Sequence, residues 1–216
     1  MTEAQNTYAA LSQALYDPDK SGVEILPGYL PPVLLPGVRR ELEENARNFV
    51  RRPLFYGTTI QMLSSWDFER GILQNYDYLR AVDDQYSKLS QELHAHIPNP
   101  AESHEIQVNA SRYAAGTLGI GAHRDNTFSV NFTAIFVISG NNSFYTASDK
   151  NGSNEIEYSV HPGDCILLRG PRTLEERAMR PIHYVKGVET ERYILTFREI
   201  HHDYLHQTRR DHQYNA

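Results

Sequence analysis

The chain has 216 residues, of which 40% are hydrophobic and 22% charged, a composition typical of one soluble globular domain with a core of ordinary size. Its net charge of −6 at pH 7 excludes the overall basic footprint of a nucleic-acid binder, although a local basic groove is compatible with it. The single cysteine, Cys165, excludes an internal disulfide and suits a reducing compartment. The first residues do not form a signal peptide, and no apolar run reaches the roughly 18 residues of a membrane span, so we expect a cytoplasmic protein.

The first 100 residues favour helices, which are predicted over residues 7–15, 38–50 and 76–97. The prolines of residues 27–37 predict an extended connector between the first two. In the third helix, apolar residues recur at three- and four-residue steps, at Leu79, Val82, Tyr86, Leu89 and Leu93.

After residue 100 the chain favours short strands that are rich in β-branched and aromatic residues and separated by turn sequences. The six predicted strands cover residues 105–113, 128–138, 155–160, 164–168, 182–185 and 192–198. Strands at this spacing are typical of a sandwich or a barrel. We therefore expect an α+β fold with a helical N-terminal third. Residues 1–104 would add elements on the substrate side, residues 105–200 would form the β core, and residues 201–216 a polar tail.

Two histidines and an aspartate form the strongest candidate for a metal site. Residues two apart in a strand point to one face, so His123 and Asp125 can reach the same ion. His183 lies 60 residues beyond His123, which leaves room for several strands and for a barrel that brings the two segments together. Two imidazoles and one carboxylate suit Fe(II) with open positions, while zinc with three ligands and a water would give a similar sequence.

Two other histidine groups compete with this set. His94 and His96 lie two apart in a predicted helix, where side chains at that spacing do not face each other. His201, His202 and Asp203 repeat the strand spacing, but the histidines that follow them are too near to come from a separate strand. We expect neither group to hold the metal.

The segment after His183 carries two arginines six residues apart. Because arginine pairs bidentately with carboxylates, Arg192 and Arg198 could hold the two ends of a dicarboxylate. Two ordinary surface arginines on an edge strand are the alternative. In the predicted strand, one face would present Arg192, Ile194, Thr196 and Arg198, and the other Tyr193, Leu195 and Phe197.

Two segments of the β-rich half match motifs of one enzyme family. Arg192-Tyr-Ile-Leu-Thr-Phe-Arg198 is similar to Arg-x-Asn-x-Thr-x-Arg, with Ile194 at the asparagine position. Ser111-Arg-Tyr113 ahead of His123-Arg-Asp125 is similar to an Asn-x-Tyr motif followed by His-x-Asp, with Asn109 near the serine. Over about residues 105–200 the chain thus resembles the AlkB-like Fe(II)/2-oxoglutarate-dependent dioxygenases.

The resemblance implies a double-stranded β-helix (jelly-roll) core and an enzyme that uses Fe(II), 2-oxoglutarate and O2. It implies that 2-oxoglutarate is decarboxylated to succinate while a substrate carbon is hydroxylated, with release of formaldehyde if that carbon is an N-methyl group. No catalytic residue is expected beyond the metal ligands and the co-substrate contacts. Iron would be held by His123, Asp125 and His183, and 2-oxoglutarate by Arg192, Arg198, Tyr113, Ser111 and Asn109.

The substrate has two interpretations. The acidic net charge and an N-terminal third that is helical rather than basic favour a small-molecule substrate, either amino-acid-like or a secondary metabolite. The alternative is an N-alkylated nucleobase of DNA or RNA, flipped into the pocket. Base stacking would then use Trp66, Phe68, Tyr76 or Tyr78, and phosphates would contact Arg39, Arg40, Arg47, Arg51 or Arg52.

For these aromatic residues we expect a place in the core instead, and for the arginines a solvated helix face. Two other protein classes are weaker hypotheses. A metal-dependent cupin lyase or isomerase would leave the paired arginines unexplained, and a binding module without chemistry would not need the complete ligand set. The sequence does not indicate an oligomeric state.

Overall fold

The computed structural model describes residues 3–52, 54–56, 59–126, 128–141 and 143–201. In these ranges the helices are α1 (Glu3–Tyr16), α2 (Leu35–Glu44) and α3 (Asp77–His94), and short 3₁₀ helices lie at Ala46–Asn48, Arg70–Asn75 and Glu175–Met179. The strands are β1 (Val23–Leu26), β2 (Val50–Arg51), β3 (Phe55–Tyr56), β4 (Thr59–Ile60), β5 (Ser64–Glu69), β6 (Glu105–Tyr113), β7 (Ile120–His123), β8 (Ser129–Ser139), β9 (Phe144–Ala147), β10 (Ile156–Tyr158), β11 (Cys165–Arg169), β12 (Ile182–Val185) and β13 (Arg192–Ile200).

Two antiparallel sheets dominate the fold. The larger has seven strands in the order β1-β11-β8-β13-β6-β5-β2, and the smaller has four in the order β10-β9-β12-β7. Between them lies a buried apolar cluster to which both contribute, with Ile135 and Ile194 from the larger sheet and Phe144 and Val185 from the smaller. The inner faces of the two sheets therefore face each other, and β3 and β4 form a separate hairpin.

The helices cover the outer face of the larger sheet. The apolar face predicted for α3 is buried, and the Tyr86 ring stacks on Phe197 of β13 with centroids 4.5 Å apart. Tyr193 and Leu195 belong to the same cluster, so the predicted alternation of β13 is confirmed. Burying a side chain of this size contributes about 1.5–3 kcal/mol, which is what attaches the helices to the sheet. None of the helices in the described ranges is both long and apolar enough to cross a membrane.

The N-terminal third is less helical than predicted. Three of the seven strands of the larger sheet come from it, because β1 pairs with β11, β5 with β6 and β2 with β5. These strands are short or largely polar, so they lack the alternation that makes a strand visible in a sequence. They form because they satisfy backbone groups that β6 and β11 would otherwise leave unpaired. The expectation of a helical N-terminal third is thus wrong, although α1, α2 and α3 do pack against the sheet.

The boundaries of the β-rich half agree well with the sequence. The strands predicted at residues 105–113 and 182–185 are found with those bounds, and β13 continues two residues further, to Ile200. Strands β7 and β9 were not predicted. The helix predicted over residues 38–50 ends at Glu44, where a 3₁₀ turn follows. The predicted tail lies outside the described residues from residue 202 onward.

Candidate metal centre and cavity

Two neighbouring strands of the smaller sheet place two histidines side by side. His123 is the last residue of β7 and pairs directly with His183 of β12. The centroids of the two imidazole rings are 4.4 Å apart. Segments 60 residues apart in the chain are therefore neighbours in the fold, as their spacing predicted.

Asp125 completes the group. It follows β7 at the spacing that returns a side chain to the side of His123, and its Oδ1 atom lies 4.0 Å from Nε2 of His183. One ligand atom from each of the three residues lies within 4.8 Å of the other two. In the described part of the chain, no other group of three or more His, Cys, Asp or Glu side chains converges in this way.

Backbone carbonyls orient both imidazoles. Nδ1 of His123 donates to the carbonyl of Gly121 at 2.8 Å, and Nδ1 of His183 donates to that of Pro181 at 3.2 Å. Since a carbonyl only accepts, each Nδ1 carries the proton and each Nε2 keeps its lone pair. Metal-binding histidines are commonly oriented by such a hydrogen bond.

The protonation states also suit metal binding. Burial lowers the pKa of His123, and it lowers that of His183 to about 4, with the neighbouring His123 adding to the effect. Burial alone would raise the pKa of Asp125, but the Arg198 charge, the two histidines and the Thr133 hydroxyl together bring it well below its ordinary value. At neutral pH the site therefore has two neutral imidazoles and one carboxylate, the forms in which these groups bind metals.

The donor set fits a divalent iron ion. Oδ1 of Asp125 accepts a hydrogen bond from Arg198 at 3.4 Å, whereas Oδ2 is buried and has no hydrogen-bond partner among the described residues. A buried carboxylate oxygen is costly to leave unpaired, and a cation would satisfy it. Two imidazole nitrogens and one carboxylate on one side of an ion are the ligand set of Fe(II) sites with open positions.

A cavity of about 960 Å³ opens beside these three residues and between the two sheets. Its volume lies at the upper end of the range of small-molecule sites, so it has room for a co-substrate and a further small molecule. All five residues that the sequence suggested for co-substrate binding line it, namely Asn109, Ser111, Tyr113, Arg192 and Arg198.

Arg192 is the most unusual residue of the cavity wall. It is only 1% exposed, and its register partner on β6 is Tyr113. Burial lowers the pKa of Arg192, and the same burial raises the pKa of the Tyr113 phenol, although Arg192 and Arg198 oppose that rise. A buried guanidinium beside a phenol is well suited to bind a carboxylate that enters the cavity. Arg198, by contrast, contacts Asp125 at the metal side.

A chain of polar contacts continues from β6 to the edge of the larger sheet. The Ser111 hydroxyl donates to Oδ1 of Asn109 at 2.8 Å, and the amide of Asn109 donates to Asp67 on β5. Arg52 forms an ion pair with Asp67 and also donates to Ser65. Asn109 and Ser111 are thus held by a network rather than standing alone.

The sequence did not identify Arg52 and Asp67 as cavity residues. Arg52 was expected on a solvated helix face, but it follows the short strand β2 and lines the cavity. The signal that could have identified Asp67 is its alternation with Ser65 in β5, which is informative only once that segment is recognised as a strand. Arg52 then follows as the partner of Asp67.

The candidates for base stacking lie elsewhere. Trp66 and Phe68 are buried in the cluster under the helices, and Tyr76 and Tyr78 pack against it, so the expected core role is confirmed. None of the four lines the cavity. Arg39 forms an ion pair with Glu43 at 2.7 Å on α2, which agrees with a solvated face.

The helical pair His94 and His96 does not form a metal site in the described ranges. His94 forms a hydrogen bond to Glu199 at 2.9 Å rather than meeting His96. Of the C-terminal group, His202 and Asp203 lie outside the described residues.

Comparisons with known proteins place the fold. No family model and no curated protein matches the sequence. A prolyl-4-hydroxylase from Pseudomonas putida superposes with a TM-score of 0.69 at 13% identity, covering 90% of this chain and 100% of that one. A prolyl hydroxylase from Trichoplax adhaerens, solved with a peptide of the hypoxia inducible factor oxygen degradation domain, gives 0.69 at 15% identity over 94% and 95%. A dioxygenase for auxin oxidation from rice gives 0.64 at 13% identity over 93% and 79%. At these identities the similarity establishes the fold, which this chain shares with two hydroxylases and a dioxygenase.

Proposed function

We propose that this protein is a non-haem Fe(II)- and 2-oxoglutarate-dependent oxygenase with a double-stranded β-helix (jelly-roll) core at residues 105–200. The observation that carries the proposal is the convergence of His123, Asp125 and His183 on a cavity that also contains the buried Arg192. A cupin lyase or isomerase would need the metal ligands but not Arg192. The shared fold supports the proposal. On the separate ground of the single cysteine, which suits a reducing compartment, we also propose a cytoplasmic location.

In this function His123, Asp125 and His183 would hold Fe(II), and 2-oxoglutarate and O2 would react beside it. Arg192 and Tyr113 bind the distal carboxylate of 2-oxoglutarate. When bound, Fe(II) and 2-oxoglutarate would supply the oxidising chemistry: one oxygen atom of O2 enters succinate as 2-oxoglutarate loses carbon dioxide, and the other enters the hydroxylated C–H bond of the substrate.

The remaining task of the chain is to orient the reactants and exclude water. Arg198 holds Oδ1 of Asp125 and lies at the metal end of the co-substrate site. Asn109 and Ser111 add a polar wall that is fixed by Asp67. The mechanism requires no further general acid or base from the chain.

We assign a small molecule, amino-acid-like or a secondary metabolite, as the substrate. The fold neighbours include a protein named for prolyl hydroxylation and one named for auxin oxidation, which shows the range of substrates that this architecture accommodates. The cavity supports this choice, because its volume suits a small molecule beside the co-substrate.

An AlkB-like oxidative demethylase of N-alkylated nucleobases is the alternative, and the motif from Arg192 to Arg198 together with Tyr113 favours it. Salt-sensitive binding of single-stranded oligonucleotides would support this alternative. Turnover of 2-oxoglutarate that is stimulated by small metabolites but not by methylated oligonucleotides would reject it.

The proposed function is tested by two substitutions and two measurements. We expect His123→Ala to abolish Fe(II)-dependent formation of succinate. Arg192→Ala should weaken 2-oxoglutarate binding to the Mn(II)-loaded protein roughly hundredfold, because it removes a buried charge pair. Arg39→Ala, which removes a half-exposed arginine of α2, serves as the control and should change neither quantity. Wild-type affinity for 2-oxoglutarate in Arg192→Ala would disprove the co-substrate site.

A further inference from the structure

We propose that the substrate is a small anion whose carboxylate or phosphate group binds to Arg124 and Arg180, next to the metal ligands. This inference rests on the proposed function and adds to it the chemical class of the substrate. It follows from the charges that line the cavity and from the way the two arginines are held.

The cavity is strongly cationic although the chain as a whole is acidic, with a net charge of −6. Six cationic side chains line it, against two carboxylates. Arg52 is paired with Asp67 and Arg198 with Asp125, and the co-substrate accounts for Arg192 in the proposed function. Three cationic side chains are left over, those of Arg124, Lys150 and Arg180.

These three residues come from separate segments that meet beside the metal ligands. Arg124 lies between His123 and Asp125, and Arg180 precedes β12. Lys150 follows β9 and lines the same cavity as His123. Cations are thus concentrated at the metal side of the cavity, where the substrate must lie.

Backbone carbonyls hold both guanidinium groups. Nε of Arg124 donates to the carbonyl of Arg180 at 3.0 Å. Nε of Arg180 donates to the carbonyl of Arg177 at 2.7 Å, and its Nη1 to that of Asp125. These acceptors are neutral, and neither guanidinium forms an ion pair with any residue in the described ranges. Both charges are therefore oriented by neutral groups, and the Asp125 carboxylate, which is paired with Arg198, offsets them only in part.

Two like charges held close together favour an anionic ligand. The guanidinium groups of Arg124 and Arg180 carry like charges and lie close together, joined by the contact of Arg124 with the Arg180 carbonyl, so they repel each other, and the Asp125 carboxylate offsets this only in part. An anionic oxygen group would relieve this repulsion and accept the forked hydrogen bonds that arginine offers to carboxylate and phosphate. Arg124 and Arg180 could instead serve only to tie the end of β7 to the segment before β12. That structural role would explain their contacts with backbone carbonyls, but it would not require two arginine charges in the cavity.

The test uses Mn(II) bound by the 216-residue chain together with 2-oxoglutarate. Paramagnetic relaxation falls steeply with distance, so only anions held beside the metal are affected. We expect the NMR relaxation of inorganic phosphate or of acetate to be enhanced by the wild-type complex. Which of the two anions responds more strongly distinguishes a phosphate from a carboxylate substrate.

Matched variants separate the outcomes. Arg124→Gln and Arg180→Gln should each weaken the anion's affinity about tenfold, whereas Arg39→Gln should not change it. If the wild type gives no enhancement, or if Arg124→Gln retains the full effect, the anion site is disproved. Failure of the wild type to bind Mn(II) or 2-oxoglutarate would instead disprove the proposed function. Arg180 also contacts the backbone of Asp125, so Arg180→Gln could lose Mn(II) for a structural reason. In that case the result for Arg124→Gln is decisive, because Arg124 is exposed.

Discussion

At the scale of single residues, Asp125 is the group on which the proposed metal site depends most. It is the only carboxylate within reach of His123 and His183 in the described ranges, and one of its oxygens is buried without a hydrogen-bond partner. Its charge is maintained mainly by Arg198 against the cost of burial. A metal ion would provide the partner that this buried oxygen lacks.

We predict that Asp125→Asn lowers the affinity for Mn(II) by at least about a hundredfold, because an amide replaces the anionic ligand at almost the same volume. Mn(II) titration followed by electron paramagnetic resonance measures the effect. Asp67→Asn is the matched control, since Asp67 is the other carboxylate of the cavity but belongs to the network with Arg52. Equal losses in the two variants would show that the metal responds to the charge of the cavity rather than to a site at Asp125.

The metal ligands could be predicted from the sequence because their geometry is largely local. His123 and Asp125 are two residues apart, and a strand converts that spacing into a common direction. Arg124 and Arg180 could not be predicted in the same way. Their place in the cavity depends on how the end of β7 meets the segment before β12, and no sequence spacing encodes that contact.

At the scale of elements, α3 and β13 are joined by a buried polar cluster as well as by apolar packing. Glu199 of β13 is 1% exposed and accepts hydrogen bonds from side chains of two other elements, α3 and β8. The donors are Tyr86, Ser90, His94 and Asn131. Glu199 follows Arg198, at a point where the pairing of β13 with β8 shifts register. The cluster thus anchors α3 directly behind a cavity residue.

The His94–Glu199 contact makes stability depend on pH. The hydrogen bond to Glu199 raises the pKa of His94 above 6.5, and burial only partly opposes it. A raised pKa in the folded state means that this stabilisation is fully present below pH 6.5 and is lost as the pH rises through the folded-state value. We predict that, as the pH rises from 6.5 through the folded-state pKa of His94, the free energy of unfolding of the wild type falls relative to that of His94→Gln.

Urea unfolding of both proteins on either side of the transition measures the difference. Other titrating groups are common to both proteins and cancel in the comparison. His96→Gln, which removes the next histidine along the chain, should follow the wild-type profile. A constant difference between wild type and His94→Gln across the pH range would refute the ionic role of His94.

Elements were predictable where their pattern is regular. The face alternation of β13 and the helical spacing of α3 are both long enough to be recognised, and both are found in the fold. Strand β7 escaped prediction because it has four residues, one of them a glycine. Strand β5 escaped because a tryptophan and a phenylalanine stand among polar residues, and its conformation is decided by its pairing with β6.

At the scale of the whole molecule, the cavity is built by parts of the chain that are far apart in sequence. The smaller sheet supplies His123 and His183, and the larger sheet supplies Arg192 and Asn109. The N-terminal third closes one side with Arg52 and with residues next to the β3–β4 hairpin. A motif search that covers only the β-rich half therefore finds the metal ligands but not the shape of the pocket.

The same topology implies that residues 105–201 do not fold alone. Without β5 the backbone of β6 would be an open edge, and without β1 so would that of β11. Removing α3 would also expose Tyr193, Leu195 and Phe197 of β13, which now lie in the largest apolar cluster. Each of these rings or aliphatic groups would forfeit about 1.5–3 kcal/mol, and a domain is stable by only about 5–15 kcal/mol in total.

We therefore predict that the fragment of residues 105–201 unfolds without a cooperative transition and binds no Mn(II), although it contains every proposed metal and co-substrate ligand. Urea unfolding monitored by circular dichroism, with the 216-residue chain as the control, provides the measurement. A cooperative transition with Mn(II) binding in the fragment would mean that the β-rich half is an independent domain and that β1 and β5 are additions to it. The predicted failure would instead mean that the N-terminal third, which carries no metal ligand, is required for the metal ligands to be assembled.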